Sequence, residues 1–165
     1  MKAVEDGWTT VGIQCDGGVV LAAEKKIQNK LQIPSSIEKI MKIEDNVICT
    51  YSGLLSDARA LIEYARVEAA NHWFTFNEKM PIESICISIC DIALSFADKE
   101  KDSKKKKRVA RPFGVAMLLA GIDNNGKPKL FRNDPSGNYT RYKACAIGAG
   151  GENGMNTLQE SYKEV

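Results

Sequence analysis

The stretch Phe113–Ile122 (FGVAMLLAGI) is almost unbroken apolar and closes on the polar turn Asp123-Asn124-Asn125-Gly126. Gly114, Gly121 and that turn favour a β-strand covered on both faces over a helix. A strand of this kind needs a layer on each side, so the rest of the chain must supply a sandwich around it. Lys129–Arg132 is its expected hairpin partner, and Asp134-Pro135-Ser136-Gly137 leads to short strands near Tyr139–Tyr142 and Ala144–Ile147.

The N-terminal half reads in the same way. Val11–Gln14 and Val19–Ala23 flank an Asp16-Gly17-Gly18 turn whose glycines offer positive φ, which predicts a β-hairpin. A second strand pair is expected at Ile37–Ile43 and Val47–Tyr51. A helix should follow from about Ser56, with Ser56 and Asp57 as capping or first-turn residues. Its buried stripe is Ala58, Leu61, Ile62, Ala65 and Ala69. Pro81 suits the start of a second helix, whose stripe is Ile82, Ile85, Cys86, Ile89, Ala93 and Phe96. Gly148 to Gly154 form a joint into a last helix through Met155, Leu158 and Tyr162. The order of strands, two helices, strands and helix predicts an α+β fold, with two sheets face to face and helices outside.

Composition removes several classes. The chain is 44% hydrophobic and 27% charged, which suits a globular protein and not a disordered one. No apolar run approaches the roughly 18 residues that a membrane span needs, so no membrane partner is expected. The five scattered cysteines fit reduced thiols better than a disulfide framework. The net charge of +2 conceals a local loop: 98–111 hold eight basic and three acidic residues, leaving 15 basic against 18 acidic elsewhere. That loop is expected to be disordered and solvated. The run Lys104–Arg108 lacks interleaved aromatics, so no nucleic acid is expected as a partner, although a binder of that class stays open.

Two further motifs have plain explanations. Cys86 and Cys90 lie four apart on one helix face, but on its apolar stripe, and the sole histidine, His72, is on another element. Core thiols are expected there, with no metal. Gly148 to Gly154 do not have the spacing of a dinucleotide loop, and a tight strand-to-helix turn accounts for them. No cofactor is expected.

Linked motifs then carry a resemblance. Ser35-Ser36-Ile37-Glu38-Lys39-Ile40, Ser52-Gly53-Leu54-Leu55-Ser56-Asp57-Ala58-Arg59 and Arg111-Pro112-Phe113-Gly114-Val115 resemble the signatures of proteasome alpha subunits. Asp134-Pro135-Ser136-Gly137 and Ala146-Ile147-Gly148 continue the register. Asn71–Glu78 (NHWFTFNE) and Ile33-Pro34-Ser35-Ser36 are similar to the alpha-5 type in particular. The resemblance covers essentially the whole chain and implies a single domain over 1–165 with the N-terminal-nucleophile hydrolase fold, an αββα four-layer sandwich. Family members begin with a gating tail and helix and end with further helix and strands, so a partial domain is expected, with the C-terminal part missing. The basic run Lys104–Arg108 is a second departure.

Function follows from the same register. Catalytic relatives use an N-terminal threonine whose own amine is the base. Trp8 falls at the nucleophile's place, followed by Thr9 and Thr10; Glu24 replaces the supporting aspartate, and Lys39 matches the catalytic lysine. The resemblance therefore implies no catalytic residue and a non-catalytic ring subunit of the 20S core particle. Neighbouring alpha subunits, beta-ring subunits and the C-terminal tails of a regulatory particle or activator are its implied partners. Ubiquitin-dependent degradation in cytoplasm and nucleus is its implied setting. In the alpha family the matching lysine pairs with an activator's C-terminal carboxylate, which assigns Lys39, Gly53 and Leu54 here to tail binding. The opposing reading leaves Lys39 at a strand end facing solvent. An active peptidase exposed by processing at Thr9 or Thr10 is the alternative in function.

Overall fold

The computed structural model describes residues 2–27, 29–97 and 113–162. The basic segment 98–111 therefore lies outside the described residues, as do Arg111-Pro112 and the side chain of Phe96.

A short helix α1 (Lys2–Glu5) precedes the hairpin of β1 (Thr10–Cys15) and β2 (Gly18–Ala23). Positive φ in this hairpin falls on Gly18 at 158°, close to extended, and not within the turn itself. Next come β3 (Ile40–Glu44) and β4 (Val47–Gly53), the helices α2 (Leu55–Phe76) and α3 (Ile82–Ala97), and β5 (Val115–Ile122). The strands β6 (Pro128–Asn133), β7 (Tyr139–Tyr142) and β8 (Ala144–Ile147) lead into α4 (Gly151–Ser161). Two antiparallel sheets result, ordered β3-β4-β5-β6-β7 and β2-β1-β8.

The apolar run of β5 explains how they stack. Val115, Met117 and Leu119 point to the core shared with Ala58, Leu61, Ile62 and Ala65 of α2 and Ile82, Ile85, Cys86 and Ile89 of α3. Ala116, Leu118 and Ala120 point the other way, onto Leu21, Cys145 and Ile147 of the smaller sheet. Period-two alternation thus sends one strand's side chains into two cores, and neither face can be polar. On the far side of the smaller sheet, Met155 of α4 lies against the backbone of Ala146, whose side chain alternates with the inward Cys145 and Ile147. The layers run helices, sheet, sheet, helix.

Two local expectations are corrected, and a third holds in part, since Ser56 and Asp57 lie in the first turn of α2. β3 begins at Ile40 and not Ile37, because a 3-10 turn at Pro34–Ser36 delivers the chain late and leaves Lys39 just ahead of the strand. No side chain caps α2: its N-cap is Leu54, while the carboxylate of buried Asp57 in the first turn accepts from the Gly114 N–H at 2.9 Å. That bond ties the helix start to the approach of β5, with a negative charge at the positive end of the helix. The last helix stops at Ser161; Tyr162 follows it, and its hydroxyl donates to the Gln14 carbonyl at 3.3 Å.

Candidate functional site

The segment before β1 lies across the end of β4 and is held through its backbone. The Val4 carbonyl accepts from Ser52 Oγ at 3.1 Å, and the Gly7 carbonyl accepts from the Ala149 N–H at 2.8 Å. Thr9 donates its N–H to Glu24 Oε2 at 3.3 Å, and its Oγ1 accepts from the Gly150 N–H at 2.9 Å. Gly148 has φ 98°, and a Cβ there would lie 2.6 Å from the Trp8 carbonyl oxygen. Only glycine permits that approach. The glycine-rich joint is therefore a seat for the segment around Trp8.

Trp8 covers Lys39. The Lys39 ammonium lies 5.0 Å from the Trp8 ring centroid and 4.1 Å from that of Tyr51. Thr50 Oγ1 donates to the Lys39 carbonyl at 2.9 Å, and the Tyr51 hydroxyl donates to the Glu38 carbonyl at 3.3 Å, fixing the backbone that carries the cation. Lys39 is only 6% exposed, which overturns a solvent-facing strand end. Among the described residues no carboxylate pairs with it. Burial pushes its pKa below the usual 10.5. The site is a buried cation faced by two rings and short of one anion.

Gly53 and Leu54 continue from Tyr51 at the same end of the sheet. Gly53 stands two residues past Tyr51, about 7 Å along the strand. It has φ 119°, and a Cβ there would fall 2.2 Å from the Gly114 carbonyl oxygen. That same oxygen accepts from the Leu54 N–H at 3.0 Å, and the Leu54 side chain is 42% exposed. Lys39, Gly53 and Leu54 thus share one end of β3 and β4, with the cation closed over and the leucine open.

The remaining candidates go elsewhere. Glu24 engages the Thr9 N–H and Lys26, at 3.4 Å from the latter. Thr10 is fully buried, and its hydroxyl has no hydrogen-bond partner among the described residues. Cys86 and Cys90 flank Asn133, whose Nδ2 donates to the Cys86 carbonyl at 3.2 Å and to Cys90 Sγ at 3.5 Å. Burial pushes the Cys90 thiol up to about 11 and Cys49 up to about 12. No cluster of three or more metal-ligating side chains occurs among the described residues. A groove of about 820 Å³ opens at the other end of β3 and β4, lined by Asp45, Asn46, Glu78, Lys79 and Asp123. It lies about 20 Å along the strands from Lys39. Sequence reasoning missed Tyr51 as the second ring and the lid contact of Trp8. Neither left a local signal, because both contacts join residues distant in the chain.

Two stacked antiparallel sheets flanked by helices make this a mixed α/β sandwich, with the buried lysine at one end of the larger sheet. The Proteasome subunit family model matches residues 4–165, so the chain belongs to the proteasome subunit family. Within that family it is similar to relatives named proteasome subunit alpha type-5. It is 49% identical to that of Dictyostelium discoideum over 94% of this chain and 63% of the relative. It is 45% identical to that of Drosophila melanogaster over 99% of this chain and 66% of the relative. With that of Trypanosoma brucei brucei it shares 44% identity over 98% of this chain and 64% of the relative. The chain thus spans just under two thirds of the length of these relatives.

Proposed function

We propose that the chain is a non-catalytic, structural alpha-ring subunit of the 20S proteasome core particle, built on the N-terminal-nucleophile hydrolase sandwich. The observation that carries this reading is the indole of Trp8, standing in the nucleophile's register and lying over the lysine. An indole cannot attack a carbonyl, and the Trp8 nitrogen lies in the peptide bond to Gly7. The neighbouring alpha subunits and the beta ring are its partners, through head-to-tail contacts whose two sides differ. Gating and ubiquitin-dependent degradation in cytoplasm and nucleus complete the reading.

Lys39, Gly53 and Leu54 serve activator docking in it. An incoming C-terminal carboxylate supplies the anion that Lys39 lacks, and the glycine lets backbone approach backbone. The test is the affinity of an activator's C-terminal peptide for assembled particles carrying Lys39→Glu. Removing one partner of a desolvated charge pair costs about 2 kcal/mol or more, so at least about 30-fold weaker binding is expected. Unchanged affinity removes the docking assignment.

A further inference from the structure

Two rings shut in the Lys39 ammonium, and they differ in freedom. Tyr51 sits within β4, 3% exposed, with its hydroxyl tied to the Glu38 carbonyl. Trp8 lies outside any helix or strand and is part-exposed, and no hydrogen bond holds its indole N–H among the described residues. Its backbone is pinned on both sides, at Gly7 by Ala149 and at Thr9 by Glu24, and Gly150 holds the Thr9 hydroxyl. Movement at this place is therefore rotation of one side chain and needs no shift of the segment.

We infer that Trp8 is a side-chain gate on the Lys39 site: its indole occupies the face through which a carboxylate must reach the ammonium, and it rotates away when one binds. The carboxylate ligand rests on the docking reading above; the closure itself rests on the geometry alone. The indole acts as a placeholder for the missing anion. Its ring quadrupole faces the cation while the site is empty, and a full negative charge outcompetes that contact. A gate of this kind sets selectivity, since a neutral chain end gains too little to displace the ring.

The experiment is brief acetylation of the full chain with acetic anhydride, read lysine by lysine by mass spectrometry. Trp8→Ala should raise the Lys39 rate relative to exposed Lys42 by about tenfold, the size of one desolvated cation–π contact. Trp8→Phe keeps a ring and should leave Lys39 slow. N-acetyl-trialanine with a free carboxylate should protect Lys39 in Trp8→Ala, and its C-terminal amide should not. Should Trp8→Ala lose its fold, a second measurement uses Trp73→Phe, which leaves Trp8 as the only tryptophan. The free-carboxylate peptide should then raise acrylamide quenching of Trp8, and the amide should not. An unchanged Lys39 rate in folded Trp8→Ala, or unchanged quenching, overturns the gate. Faster acetylation that neither peptide suppresses upholds the closure and overturns the docking reading.

Discussion

Replacing Lys39 with methionine keeps an unbranched stem of similar length and removes the charge. Lys39 is 6% exposed and pairs with no carboxylate among the described residues, so its ammonium is partly desolvated without a counter-ion. The effective penalty for such a burial is several kcal/mol. Two cation–π contacts return about 0.5–2 kcal/mol each. Methionine sulfur returns part of that on the same rings, about 0.3–1.5 kcal/mol. The balance favours Lys39→Met by on the order of 1 kcal/mol, a rise in Tm of about 2–4 °C for a domain of this size. Urea denaturation of the full chain reads it as a higher midpoint with an unchanged slope. Lys39→Ala, which removes the stem too, should destabilise. A lysine that costs stability would fit the docking reading proposed above. A loss of about 1 kcal/mol or more in Lys39→Met would instead show that the charge holds the fold together.

The same cation gives a pH signature. Burial lowers the Lys39 pKa, so the unfolded chain holds the proton more tightly, and stability rises with pH between the folded value and 10.5. The advantage of Lys39→Met over the parent chain should therefore shrink across that window in denaturation curves, and a constant advantage would contradict it. Gly53→Ala places a methyl group 2.2 Å from the Gly114 carbonyl oxygen at φ 119°, a conformation that alanine resists. A loss of about 1–3 kcal/mol is expected from the strain alone. Thermal unfolding checks it, and an unchanged Tm would mean that the β4–β5 end yields easily.

The layers were legible because their signals are periodic. The apolar run of β5 announced a strand with two covered faces, and each face has its own core. The stripe Ala58, Leu61, Ile62, Ala65 and Ala69 is buried on α2 as spacing requires. Boundaries failed where a local competitor intervened: Pro34 starts a 3-10 turn, so β3 begins three residues late. The site was half legible. Register placed Lys39 and Trp8 by name, yet their contact depends on how β1, β4 and the joint after β8 meet in space. Gly148 showed as turn punctuation, while its reason is the Trp8 carbonyl. Tyr51 read as one more strand residue, since nothing in sequence says which cation a strand aromatic will face.

Native mass spectrometry of core particles, isolated through a tagged beta subunit from cells that make this chain, distinguishes a non-catalytic ring subunit from a processed peptidase. A non-catalytic ring subunit should be found inside intact particles with Trp8 still present ahead of Thr9. Recovery of the chain only as free protein, or within particles but beginning at Thr9 or Thr10, would contradict it.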